Sequence, residues 1–173
     1  MAHFPLYMDL NGKLVFLVGG DPKKEEILRS FGADVRLLDR LTEENLAENP
    51  VLVVLARGDR KEMAELCRRR NIPVNAVDDP ENCTFFFPSI LRKGDTTIAI
   101  SSGGKAPAAS RALRERLEQS LPEHLEQILD WLGDVTAQLR KEIPDYDTRA
   151  ALLSKLTHKA FRLGRPLTDS EWE

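Results

Sequence analysis

The chain has 173 residues, 42% hydrophobic and 31% charged, with a formal net charge of −3. That suits one ordinary domain, or a compact domain with a helical appendage, and it supplies enough apolar material for a core. Charges of both signs are interspersed, which excludes a basic nucleic-acid footprint, and no apolar run reaches the roughly 18 residues of a membrane span. The opening residues, with His3, Pro5 and Asp9, lack the basic start and apolar middle of a signal peptide, so the cytoplasm is the expected location.

Lys13–Val18 is a short apolar run ending in Gly19-Gly20, which predicts a buried strand. Pro22–Phe31 predicts a helix, with proline in its first turn and Gly32 past its end. Asp34–Leu38 and Val51–Leu55 predict two more strands, Arg60–Arg70 a helix, Pro73–Val77 a fourth strand and Thr96–Ile100 a fifth. Alternation of short apolar strands with helices predicts an α/β fold, a Rossmann-like, mostly parallel, doubly wound sheet. Arg68-Arg69-Arg70 closes a predicted helix, where cations are favoured by the dipole.

After Pro107 the chain reads as helical. Leu113, Leu117, Leu121, Leu125, Ile128, Leu132, Val135 and Leu139 recur every three or four residues, an amphipathic stripe. Helices are predicted over Pro107–Gln119, over Leu121–Lys141 behind a Ser120/Glu123 capping box, and over Arg149–Leu163. The tail from Gly164 is expected to be poorly ordered. The stripe either covers the sheet or faces a second subunit, and the second is preferred because the sheet already has helices of its own.

Four segments carry residues suited to chemistry. Gly19-Gly20-Asp21-Pro22 follows the first strand where a Rossmann turn cradles a dinucleotide phosphate, and Asp39 ends the second strand where an acidic side chain bonds a ribose hydroxyl. The full G-x-G-x-x-G is absent, so a tight turn that binds nothing is an equal alternative. Asp78-Asp79-Pro80 ends the fourth strand. It is either a polar turn or a pair of carboxylates placed for acid–base work. Phe85-Phe86-Phe87 is either a pocket wall or core. Ser101-Ser102-Gly103-Gly104-Lys105 leads into a helix and is either a Gly-rich turn or an anion site suited to carboxylates or phosphate; the second is preferred because Lys105 adds charge to the hydroxyls and backbone N–H groups at a helix start. Cys67 and Cys83 form no metal pattern and read as reduced structural thiols; His3, His124 and His158 are scattered, so no metal cage is expected.

Taken in order, V-N-A-V-D-D-P, F-F-F-P-S-I, G-D-T-T-I-A-I-S-S-G-G-K-A-P and R-A-L-R-E-R-L-E resemble the precorrin-2 dehydrogenase family, which includes the N-terminal module of siroheme synthase. The resemblance spans roughly Phe4–Lys141 and is densest from Ile72 to Glu118. It implies NAD-dependent oxidation of precorrin-2 to sirohydrochlorin in siroheme biosynthesis, with ferrous iron inserted as a further substrate in some members. It also implies a homodimer, with a Rossmann-like NAD-binding domain over 1–106, a helical dimerisation region over 107–143 and a small helical segment over 144–173. By position, the family's general base falls on Asp78. Its NAD contacts fall on Gly19, Gly20, Asp21 and Pro22 and near Leu41 and Thr42, and its tetrapyrrole-lining turn falls on Ser101–Gly104. Two departures fall on the cofactor half. V-G-G-D-P-K-K stands where the family has a third glycine, and a strand and helix present in relatives are missing between Asn45 and Val51. A-R-G also replaces the A-T-D-D that ends the third strand in the family.

Overall fold

Five successive apolar residues form β1 (Leu14–Val18), in a computed structural model that describes residues 4–103 and 105–172. β1 pairs in parallel with β2 (Asp34–Leu38) on one side and with β3 (Leu52–Leu55) on the other. β4 (Val74–Ala76) extends the sheet beyond β3, giving the order β2-β1-β3-β4. The interior strands β1 and β3 are covered on both faces, which is why they are unbroken apolar runs. β2 lies at the edge and tolerates Asp34 and Arg36 between its apolar positions.

Alternation along β1 divides the core into two layers. Phe16 and Val18 pack with Val53, Leu55 and the apolar side of α3 (Arg60–Arg69), namely Met63, Ala64 and Cys67. Val15 and Leu17 pack on the opposite face with Val54, Val35 and Leu28 of α1 (Pro22–Ser30). Helices thus cover both faces of a parallel sheet, the expected doubly wound arrangement. α2 (Glu43–Leu46) is an addition to the predicted elements. A capping box between Thr42 and Asn45 starts it, and fully buried Leu46 anchors it.

Thr96–Ile100 is a strand, but not a fifth member of this sheet. It is β6 and pairs antiparallel with β5 (Ser89–Lys93) through a two-residue Gly94-Asp95 loop. A glycine first in a two-residue loop closes a hairpin, so the chain reverses there and never crosses over to β4. This hairpin belongs to a second compact unit, Pro88–Ser102 with everything from Pro107 on. The first unit is the chain up to Phe87 with Gly103–Ala106. The division therefore falls ahead of the hairpin, whereas the sequence suggested one near residue 106.

Helices α4 (Pro107–Ser120), α5 (Leu125–Glu142) and α6 (Tyr146–Leu163) complete the second unit. The expected capping box at Ser120 does not form. Its hydroxyl donates back to the Leu117 carbonyl at 2.8 Å, ending α4, and α5 starts four residues later than predicted. The leucine stripe splits in two. In α5, Ile128, Val135 and Leu139 are buried against Leu156 and Ala160 of α6, whereas Leu113 and Leu117 of α4 remain 52% and 39% exposed. The tail is ordered rather than loose. Leu167 enters the α5–α6 core, Trp172 meets Trp131 edge to face at 5.8 Å, and Glu171 takes a bidentate pair from Arg165.

Candidate active site

The four parallel strands end level with one another. Val18 is in register with Leu38 and with Leu55, and Leu55 with Ala76. Neighbouring strands lie about 4.8 Å apart, so the residues that follow them form one row. Asp39 follows β2, Gly19-Gly20 follows β1, Ala56-Arg57 follows β3, and Val77-Asp78 follows β4. The connection from β1 leads to β2 on one side and returns to β3 on the other. The C-terminal edge between β1 and β3 is therefore the switch point at which open α/β sheets take ligands.

At the β1 end, the Gly19 N–H donates to the Leu38 carbonyl at 2.8 Å, and the Ala56 N–H to the Val18 carbonyl at 2.9 Å. Gly19 has φ +79°, and a Cβ there would lie 2.5 Å from Arg57 Cβ and 2.9 Å from its backbone nitrogen. The two strand ends meet too closely for any side chain. Gly20, at φ +69°, has open space where its Cβ would be, so a ligand can approach this backbone. Arg57 is exposed and has neither an ion pair nor a hydrogen bond among the described residues.

Asp21 caps α1. Its Oδ1 accepts from the Lys24 N–H at 3.1 Å, its Oδ2 lies 3.3 Å from Lys24 Nζ, and Pro22 fills the first helical position, which needs no donor. Partial burial pushes the Asp21 carboxyl up. The Lys24 hydrogen bonds and charge, with the Lys23 N–H, outweigh burial and hold it below the ordinary value of 3.8. Lys24 also lies over the Phe87 ring at 5.4 Å. The helix end on which a pyrophosphate would rest thus carries an ionised carboxylate of the chain itself. The glycines and the free Arg57 fit a dinucleotide, and Asp21 competes with it.

Asp39 is exposed with no partner among the described residues, free to meet a ribose. Leu41 is different: its side chain is 2% exposed within the core and its N–H reaches Met63 Sδ at 3.5 Å. Thr42 is occupied as the cap of α2.

Asp78 stands at φ +60°, one of three non-glycine residues with positive φ among the described residues. The left-handed region is unfavourable for an L-residue and persists where surrounding structure enforces it. Here the enforcement is visible. The Val77 N–H donates to the Leu55 carbonyl at 2.9 Å and the Val77 carbonyl accepts from Arg60 Nη1 at 2.9 Å. The Asp79 N–H donates to the Ala76 carbonyl at 3.2 Å, and the Asp79 carboxylate accepts from Asn82 Nδ2 at 2.8 Å. Buried Asn75 donates to the Phe85 carbonyl at 3.0 Å. Asp78 itself is exposed and has no partner among the described residues. The adjacent carboxylates therefore separate: Asp79 is tied into the turn and Asp78 is presented. Phe85 and Phe87 lie 5.5 Å apart, half-buried against the α1 layer of the core with Val77.

Ser101 and Ser102 follow β6 in the second unit, and Gly103 and exposed Lys105 belong to the first; Gly104 lies outside the described residues. Among the described residues no group of three or more His, Cys, Asp or Glu side chains is placed to hold a metal ion. Two further residues stand at this edge without a motif to mark them: Arg57 follows β3 in place of an acidic strand end, and Arg60 holds the Val77 carbonyl through a hydrogen bond that no spacing reveals.

A family model described as "Putative NAD(P)-binding" matches residues 23–89, beginning just past the Gly19–Pro22 turn, and one described as "Sirohaem biosynthesis protein central" matches 94–120. The siroheme synthase of Tolumonas auensis is 34% identical over 179 residues, covering 90% of this chain and 38% of that protein. Siroheme synthase 2 of Aeromonas hydrophila is 35% identical over 175 residues, 86% of this chain and 37% of that protein. The chain thus spans little more than a third of the curated relatives it matches. A solved structure, SirC, precorrin-2 dehydrogenase, shares the fold with a TM-score of 0.73 at 18% identity, covering 98% of this chain and 95% of that one.

Proposed function

The chain belongs to the precorrin-2 dehydrogenase family, which includes the N-terminal module of siroheme synthase, and from that premise we propose that it oxidises precorrin-2 to sirohydrochlorin, with NAD as the hydride acceptor. One observation carries the reading. At the ligand-binding edge of the sheet, a mesh of hydrogen bonds holds Asp78 in a left-handed conformation and leaves its carboxylate unpaired. A base kept free at some conformational cost is expected where a proton must be taken.

In this reading Gly19 and Gly20 let the backbone approach the dinucleotide phosphates, and Arg57 supplies positive charge beside them. Asp39 accepts from the ribose hydroxyls, which favours NAD over a cofactor with a 2′-phosphate. Of the positions near the second strand, Thr42 and Leu41 contribute by shaping the turn, since both are engaged in the fold. When bound, NAD supplies an electrophilic nicotinamide ring. Asp78 removes the proton that leaves with the hydride, and Ser101, Ser102, Gly103, Gly104 and Lys105 take peripheral carboxylates of the tetrapyrrole. Ferrous iron, where it is inserted, is a substrate, and Asp78 is the group to accept the displaced pyrrole protons. The enzyme works in the cytoplasm as a homodimer, for which Leu113 and Leu117 of α4 offer an exposed apolar face.

The Asp21 cap supports a second reading, in which the cofactor half binds weakly and the chain serves iron insertion alone. An anaerobic assay of precorrin-2 with and without NAD decides between them. NAD-dependent formation of sirohydrochlorin is expected. Its absence at millimolar NAD, together with ferrous or cobalt insertion into sirohydrochlorin, would establish the second reading instead.

A further inference from the structure

Cys83 lies outside every motif, yet its sulfur is the most connected atom around the Asp78 turn. Sγ is 3.2 Å from the Ala76 nitrogen and 3.2 Å from the Ala76 carbonyl oxygen. It is 3.4 Å from the Asp79 carbonyl oxygen and 3.6 Å from Asn75 Nδ2. Ala76 precedes Asp78 and Asp79 follows it. The sulfur therefore clamps the turn from both sides, with Val77 and Asp78 forming the bulge between. A thiol has one proton to give, to either carbonyl, and a lone pair to take the Ala76 N–H. Burial pushes the Cys83 thiol up and the Asp79 charge adds to this, against the Ala76 N–H and Arg68. The proton needed for donation is thus retained at neutral pH, and the group is a poor nucleophile. Arg60 and Asn82 each brace one flank only.

We propose that Cys83 is the positioning residue for Asp78: by bonding the backbone on both sides of it, the thiol keeps Asp78 left-handed with its carboxylate presented, and the reaction depends on a sulfur that touches neither substrate nor cofactor. The inference rests on Asp78 being the base of the proposed reaction. It assigns the role to a side chain that accepts from the Ala76 N–H and donates to a flanking carbonyl, a capacity that a serine hydroxyl shares in kind.

The test uses the full chain with Cys83→Ala and Cys83→Ser. For the alanine variant we expect a fall in kcat of at least tenfold with KM for precorrin-2 and Kd for NAD unchanged, and a crystal structure in which Asp78 has left the left-handed region. Serine, which also donates and accepts, is expected to recover more than half of the lost kcat and the native φ. A kcat within twofold of wild type for alanine, or an Asp78 that keeps φ near +60° without the sulfur, overturns the proposal. So does parallel loss of kcat and NAD binding, the mark of a general structural effect. Should alanine fail to fold, the serine variant is read by the same measures, and native φ with depressed kcat refutes the proposal. Inactivity of the wild-type chain on precorrin-2 would instead refute the functional reading, and the Asp78 φ of the variants would still decide whether Cys83 sets that conformation.

Discussion

Replacing Asp21 by Asn isolates one charge at the turn proposed to hold the cofactor phosphates. Asn is as good a helix cap as Asp, so the bond from the Lys24 N–H survives while the negative charge goes. A pyrophosphate seated at the first turn of α1 would bring its charges to roughly 6 Å from this carboxylate. Repulsion at that distance is about 0.7 kcal/mol per unit charge in bulk water and about 2.8 kcal/mol at the effective dielectric of a surface pair. Asp21 is part-exposed and Lys24 at 3.3 Å offsets some of its charge, so the lower end applies, about 1 kcal/mol. The dissociation constant for NAD should therefore fall roughly fivefold in Asp21→Asn. The opposing effect on folding is small: loss of a negative charge at a helix N-terminus costs about 0.3–1 kcal/mol. Calorimetric titration of NAD into both proteins measures the change. Repetition at high salt should shrink the gain, because the interaction is partly solvent-screened. An unchanged or weaker affinity at low salt would mean that the phosphates do not sit on this turn, and the Rossmann assignment of Gly19–Pro22 would fall with it.

Three further outcomes follow from the same geometry. Asp78→Asn should lose at least about a hundredfold in turnover with an unchanged thermal midpoint, since Asn tolerates the left-handed region as well as Asp; more than a tenth of wild-type activity would remove Asp78 from its assigned role. Introducing Asp at both Leu113 and Leu117 should convert the proposed dimer to a monomer by light scattering without unfolding the α5–α6 pair; a dimer that survives is built on another face. Glu171 is held down to about 2 from 4.5 by its side-chain bond with Arg165 and then by the Thr168 N–H. Its folded value lies below its unfolded one, so its contribution to docking the tail is complete above 4.5 and is lost as pH falls toward 2. Tryptophan fluorescence should report separation of Trp172 from Trp131 over that range, and Glu171→Gln should show the low-pH signal already at neutral pH.

Much of the sheet unit is legible because its signals are local. β1 and β3 are apolar throughout, being buried on both faces, and α1 and α3 have caps or breakers at their ends. What escapes notice depends on partners distant in sequence or on very short elements. α2 has four residues and rests on one capping box and one buried leucine. The Gly94-Asp95 loop carries a hairpin signal, but β5 contains Arg92 and Lys93 and does not resemble the buried strands before it. The tail reads as disordered because eight of its last ten residues are not core material. Leu167 and Trp172 suffice to dock it, with the Arg165–Glu171 pair. At the site, residue identity was legible and conformation was not. Asp is tolerated in the left-handed region, so nothing in N-A-V-D-D-P announces which aspartate adopts it.

The two ends of the switch-point edge reach positive φ by opposite means. After β1, glycines adopt it freely, and Gly19 does so because Arg57 leaves no room for a Cβ. After β4, an aspartate adopts it only because bonds from Leu55, Arg60, Asn82 and Cys83 converge on the residues beside it. A turn built from glycine accommodates whatever approaches it, whereas a turn built from a cross-braced aspartate fixes one carboxylate in one place. Cofactor affinity in this chain should therefore respond to single charges such as Asp21 and Arg57, in steps of about 1 kcal/mol. Catalysis should instead respond sharply to any change in the mesh that lets Asp78 relax.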